Sequence, residues 1–98
     1  MTDAFNLDRP RINVDFNEMV EDDLVLLSKY NAKEDSAGRM VELREGLSVF
    51  VFMDDSDEHG SPGALIADGL AERITGVGWD GAARWACRLD AWGIRRWP

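Results

Sequence analysis

Seven residues, Leu47 to Met53 (LSVFVFM), form the longest nearly unbroken apolar stretch in this chain. A strand buried on both faces accounts for that density of branched and aromatic side chains. Phe50 and Phe52 then point to one side of a sheet and Val49 and Val51 to the other. A chain organised around such a strand has to supply further strands to pair with it.

Those strands can be read on either side of it. Ile12, Asn13, Val14, Asp15 and Phe16 alternate apolar and polar, the period of a half-buried strand. Glu21-Asp22-Asp23 reads as a charged turn and Leu24 to Leu27 as a second short strand. Asn31 to Gly38 (NAKEDSAG) is polar and rich in turn formers, which predicts an exposed loop. Residues 64–74 are ambiguous: Ile66, Leu70 and Ile74 recur at helical spacing after Ser61-Pro62, yet Gly69 falls in the middle. The strand reading is preferred, with Ala67, Gly69 and Ala71 opposite Ile66 and Leu70. TGVGWDG then predicts a glycine-rich turn, Arg84 to Leu89 a strand, Asp90 to Gly93 a turn, and Ile94 to Trp97 a short closing strand.

The expected fold is therefore mainly β, five or six short strands with at most one short helix, since closing such a sheet removes edges that would aggregate. Val41-Glu-Leu43-Arg-Glu-Gly46-Leu-Ser-Val49-Phe-Val51 resembles the diverging turn and following strand of SH3-like barrels, and Leu89-Asp-Ala-Trp-Gly-Ile94 resembles their one-turn helix and last strand. The resemblance implies a small SH3-like barrel. It brings no binding residues, because the tyrosine-rich first motif, paired tryptophans and proline-containing closing motif of peptide-binding SH3 domains are missing. A chain of 98 residues, 45% hydrophobic and 31% charged, has room for one such domain. Its expected extent is residues 11–98, after a flexible N-terminal arm over residues 1–10 that ends at Arg9-Pro10.

Charge narrows the function. The net charge of −8 works against nucleic acid as a partner. Residues 1–60 hold fifteen Asp and Glu against six Lys and Arg, whereas residues 61–98 hold four against five. The single Cys87, the lack of a basic-then-apolar leader and the lack of a membrane-length apolar run together predict a cytoplasmic protein.

No pattern specifies catalysis, a cofactor or a metal. Asp54-Asp55-Ser56-Asp57-Glu58-His59-Gly60 gathers carboxylates around the only histidine, but the EF-hand order breaks at His59 and Ile66, and a solvated hairpin loop is the preferred reading. Cys87 lies on a predicted buried strand with no histidine partner in view, which predicts an inert thiol. All four tryptophans fall between Trp79 and Trp97, among arginines. Trp85 reads as core, while Trp79 and Trp92 sit in predicted turns. The expected function is a non-enzymatic binding module for a protein partner, with Trp79, Trp92, Arg84, Arg88 and Arg95 as contact residues. An acidic inhibitor or nucleic-acid mimic using Glu21 to Asp23 and Asp54 to Glu58 is the rival, and a small-barrel nucleic-acid binder a further one.

Overall fold

The computed structural model describes residues 7–55 and 63–97. Nine strands occur among them. The first five are β1 (Ile12–Asn13), β2 (Met19–Glu21), β3 (Leu24–Ser28), β4 (Ala32–Glu34) and β5 (Met40–Glu42). The apolar run forms β6 (Ser48–Asp54), followed by β7 (Ala64–Arg73), β8 (Trp85–Leu89) and β9 (Arg95–Trp97). A single 3-10 turn at Trp79–Gly81 is the only helical element among the described residues. The fold is mainly β, as expected, and residues 64–73 are strand. The strands number more than five or six because Met19–Glu21, Ala32–Glu34 and Met40–Glu42 also pair.

The order of the main sheet is β1-β6-β7-β8-β3-β2, with β9 paired to β7. β6 takes one edge of β7 from Ala64 to Leu70. The other edge is shared: β9 pairs with Ala64 to Ile66 and β8 with Gly69 to Arg73. The path ends at β1 and β2, which do not pair, so the sheet is open. β4 and β5 form a separate hairpin.

That hairpin replaces the loop expected over Asn31 to Gly38. Turn chemistry makes it rather than apolar alternation: the Asp35 carboxylate accepts from the Ala37 and Arg39 amides, and Gly38 takes φ +83° to close the turn. Glu21 likewise belongs to β2, leaving Asp22 and Asp23 as the turn into β3.

One continuous core is formed among the described residues. The strand expected from Ile12 to Phe16 is only Ile12–Asn13, with Phe16 in the turn that follows, yet Ile12, Val14 and Phe16 all enter the core, and Val25, Leu27, Leu43, Val49, Val51, Ala67, Ala71, Trp85, Cys87 and Leu89 complete it. Small residues line the inner face of β7 because β8 passes close: a Cβ on Gly69 would lie 2.1 Å from the Arg88 carbonyl oxygen and 2.9 Å from Cys87 Sγ. β6 is not buried on both faces as its composition predicts. Val49 and Val51 are, but Phe50 and Phe52 are only half-buried. The outer face of β6 is covered by arginine instead of a second apolar layer, with the Arg9 guanidinium 4.4 Å from the centre of the Phe50 ring.

Arg11 is the most constrained of these side chains. It is 1% exposed. Its Nε and Nη2 donate to the two oxygens of Asp8 at 2.8 and 2.9 Å, and Nη1 donates to Asp68 Oδ1 at 2.8 Å. Nη1 also reaches the carbonyls of Val51 and Ala67 at 3.2 and 3.0 Å. The Arg11 backbone exchanges hydrogen bonds with Ser36, fastening the hairpin turn to the same point. Arg95 then donates to the second oxygen of Asp68 at 3.4 Å, bringing in β9. The hydrogen bond from Arg11 holds Asp8 below the usual carboxylate range against the opposing effect of burial. Asp8 therefore stabilises the fold above its unfolded value near 3.8, and that stabilisation is lost as pH falls through its lower folded value.

Two substitutions test this framework. Arg11→Met removes a hydrogen-bond donor from two carboxylates and two carbonyls, with an expected loss of about 3 kcal/mol and a fall in Tm of roughly 15 °C by scanning calorimetry. Gly69→Ala forces backbone apart and is expected to lose about 2 to 3 kcal/mol. A Tm within a degree or two of the parent for either variant contradicts the packing described.

Candidate functional site

Two clefts open at the end of the sheet where β3 leaves it. Ser28 closes β3, its hydroxyl accepting from the Tyr30 amide, and the sharp bend projects Lys29 and Tyr30 outward. Tyr30 is 73% exposed. The Arg84 amide donates to Ser28 O and the Ile74 amide to Arg84 O, which ties the three segments together. A larger cleft of about 540 Å³ lies among Lys29, Tyr30, Arg73, Thr75 and Arg84. A smaller one of about 260 Å³ lies among Lys29, Tyr30, Ala32, Lys33 and Trp79. They share Lys29 and Tyr30.

Trp79 reaches this position through a left-handed loop. Gly76, Gly78, Trp79, Asp80 and Gly81 all have positive φ, with Trp79 at +44° and Asp80 at +59°. Left-handed backbone at a residue with a side chain costs about 1 to 2 kcal/mol. The loop is pressed on to the sheet at Gly78, where a Cβ would fall 2.6 Å from Leu26 Cδ1. With that contact made, the chain turns left-handed through Trp79 and Asp80, and the indole comes to rest 5.8 Å from the Lys29 ammonium.

The electrostatics of the clefts oppose those of the whole chain. Neither cleft is lined by Asp or Glu. Among the described residues Lys29, Lys33, Arg73 and Arg84 form no salt bridge, whereas Arg9, Arg11, Arg88, Arg95 and Arg96 all do. The Arg73 guanidinium lies 5.7 Å from the Trp85 ring, whose own Nε1 donates to Asn31 Oδ1. Lys33 Nζ donates to Leu27 O at 2.9 Å, and burial pulls its amine below the ordinary lysine range.

Of the residues singled out from sequence, the structure brings Trp79 and Arg84 to this end and takes the others elsewhere. Arg88 lies on the outer face, where it meets Glu72 with two hydrogen bonds and Glu21 and Asp23 with one each. The Glu72 bonds are the main reason its guanidinium is held above its ordinary range. Trp92 is 77% exposed in the turn after β8, about 20 Å of strand from Arg84, and Arg95 bonds to Asp68. Trp85 is buried. Cys87 is buried too, its thiol pushed up to about 12 by burial and then by Asp68 and Asp90, so it stays protonated at neutral pH. Asp55 pairs with Arg96, while Ser56 to Pro62, with His59, lie outside the described residues. Lys29, Tyr30, Lys33 and Arg73 escaped the sequence reading because they come from three separate segments, none with a motif. No helix of the described residues is long and apolar enough to cross a membrane.

No protein-family model, curated protein or solved structure matches the chain.

Lys33 supplies a test of the site's electrostatics. Its folded value lies below 10.5, so the unfolded chain binds more protons between those two values and stability rises with pH there. The difference in unfolding free energy between the parent and Lys33→Met, from urea titrations, is expected to shift in favour of the parent from pH 7 towards the ordinary lysine value and then level off. A difference that does not vary with pH contradicts the burial of this amine.

Proposed function

We propose that the chain is a non-enzymatic, cytoplasmic binding module for a protein partner, on a small SH3-like barrel scaffold, and that it makes contact through the end face holding Trp79, Arg84, Lys29, Tyr30, Lys33 and Arg73. One observation carries this reading: two adjoining clefts rich in cations and aromatics, without a carboxylate in their lining, in a chain of net charge −8. Arginine and aromatic side chains dominate binding energy at protein interfaces. Cations already paired within the chain have less to offer a partner, which sets Arg88 and Arg95 apart from Arg73 and Arg84. Backbone strain held around Trp79 adds support, since strained loops gather at places where a side chain must be presented.

Affinity capture from a lysate with quantitative mass spectrometry tests it. The double variant Trp79→Ala/Arg84→Glu, shown folded by circular dichroism, is expected to lose the partners retained by the parent, while Trp92→Ala keeps them. Loss with Trp92→Ala alone moves the contact to the far end of β8. Retention by all variants removes both faces from consideration.

A further inference from the structure

Lys33 is a cation drawn into a cleft with no counter-ion among the described residues, held by a single carbonyl. Lys33 is half-buried, and a partly desolvated charge gains from an opposite charge that the described residues do not supply. The neighbouring cleft adds Arg73 and Arg84 to the shared Lys29, all without ion-pair partners among the described residues, and the two share a wall at Lys29 and Tyr30. Among the described residues neither lining includes a carboxylate, and Glu45, which accepts from the Arg73 backbone amide, leaves the Arg73 guanidinium without an ion pair.

We infer that the two clefts form one bipartite seat for an acidic segment of a partner protein, with one carboxylate on Lys33 beside Trp79 and Tyr30 and others spread over Lys29, Arg73 and Arg84. This rests on the end face being the contact surface and names what that surface takes. An extended peptide advances about 3.3 Å per residue, so a few residues bridge adjoining clefts. A long polyanion is disfavoured here. A nucleic-acid strand continues past the clefts on to a chain carrying nineteen Asp and Glu, whereas a short acidic segment confines its charge to the cationic end. Screening over about 8 Å at physiological salt leaves the local cations to act on such a segment despite the net charge.

Isothermal titration of the full chain with an octapeptide of alternating Glu and Ala tests the inference, beside its Gln-for-Glu counterpart, inorganic phosphate and a single-stranded oligonucleotide. The Glu peptide is expected to bind, to weaken about tenfold with Arg73→Glu, Arg84→Glu or Lys33→Met, and to weaken as salt rises. Arg39→Glu and Arg44→Glu, exposed and outside both clefts, serve as controls and are expected to have little effect. In ¹³C NMR the Lys33 Cε resonance is expected to titrate at higher pH with the peptide bound. Equal binding of the Gln peptide, tighter binding of phosphate or the oligonucleotide, or equal losses with the control variants each overturns it. Binding that leaves the Lys33 titration unmoved overturns the Lys33 seat. If the Glu peptide fails to bind while Trp79→Ala/Arg84→Glu still loses captured partners, the acidic segment is wrong and the contact face stands.

Discussion

A guanidinium buried to 1% exposure, with two carboxylates and two strand carbonyls as acceptors, is the point on which the rest of the sheet depends. Removing a charge from water is costly unless every donor finds a partner, and Arg11 leaves little unsatisfied. Its partners come from the N-terminal segment, β6 and β7, and its backbone holds the β4–β5 turn through Ser36. β1 is only two residues long and contributes few ladder hydrogen bonds of its own. The clamp fixes where it lies, and with it the parallel pairing of Ile12 to Val51 that seals one side of the core.

Arginine serves two ends in this chain. Arg9, Arg11, Arg88 and Arg95 are consumed by the fold, covering Phe50 or gathering carboxylates from the N-terminal segment, β2, the β2–β3 turn and β7. Those bonds disperse like charge that otherwise repels within an acidic chain. At the end of β3 the cations are left unspent. Charge is thus sorted in part by position in the fold: Arg88 and Arg95 meet carboxylates on the sheet, while Lys29, Lys33, Arg73 and Arg84 gather at one rim without ion pairs among the described residues.

The rim also holds the least relaxed backbone. Five left-handed residues between Gly76 and Gly81, two of them not glycine, are maintained by contact with Leu26 and by hydrogen bonds from Gly81 to Gly78 and Ala82 to Trp79. An indole placed at that expense beside Lys29, Tyr30 and Lys33 turns a surface bend into a walled cleft.

The sequence by itself determined the class of fold and most of its inner face. Ile12, Val14 and Phe16, the alternate residues Val49 and Val51 of β6, and the small residues Ala67, Gly69 and Ala71 correspond to inward positions, and within β6 and β7 that is because side-chain direction in a strand follows parity. Trp79 and Arg84 were legible as candidates from composition alone. What the tertiary structure decided was pairing. Met19–Glu21 and Ala32–Glu34 are strands through their partners and turns, with little apolar signal of their own. Arg84, Arg88 and Arg95 look alike in sequence, and only the register that puts Arg88 on the same face as Glu72 and Arg95 beside Asp68 distinguishes spent from unspent charge. Lys29 and Lys33 meet Arg73 from a segment some forty residues distant in sequence, and a one-residue change of register in β4 or β7 would send Lys33 or Arg73 to the other face of its sheet.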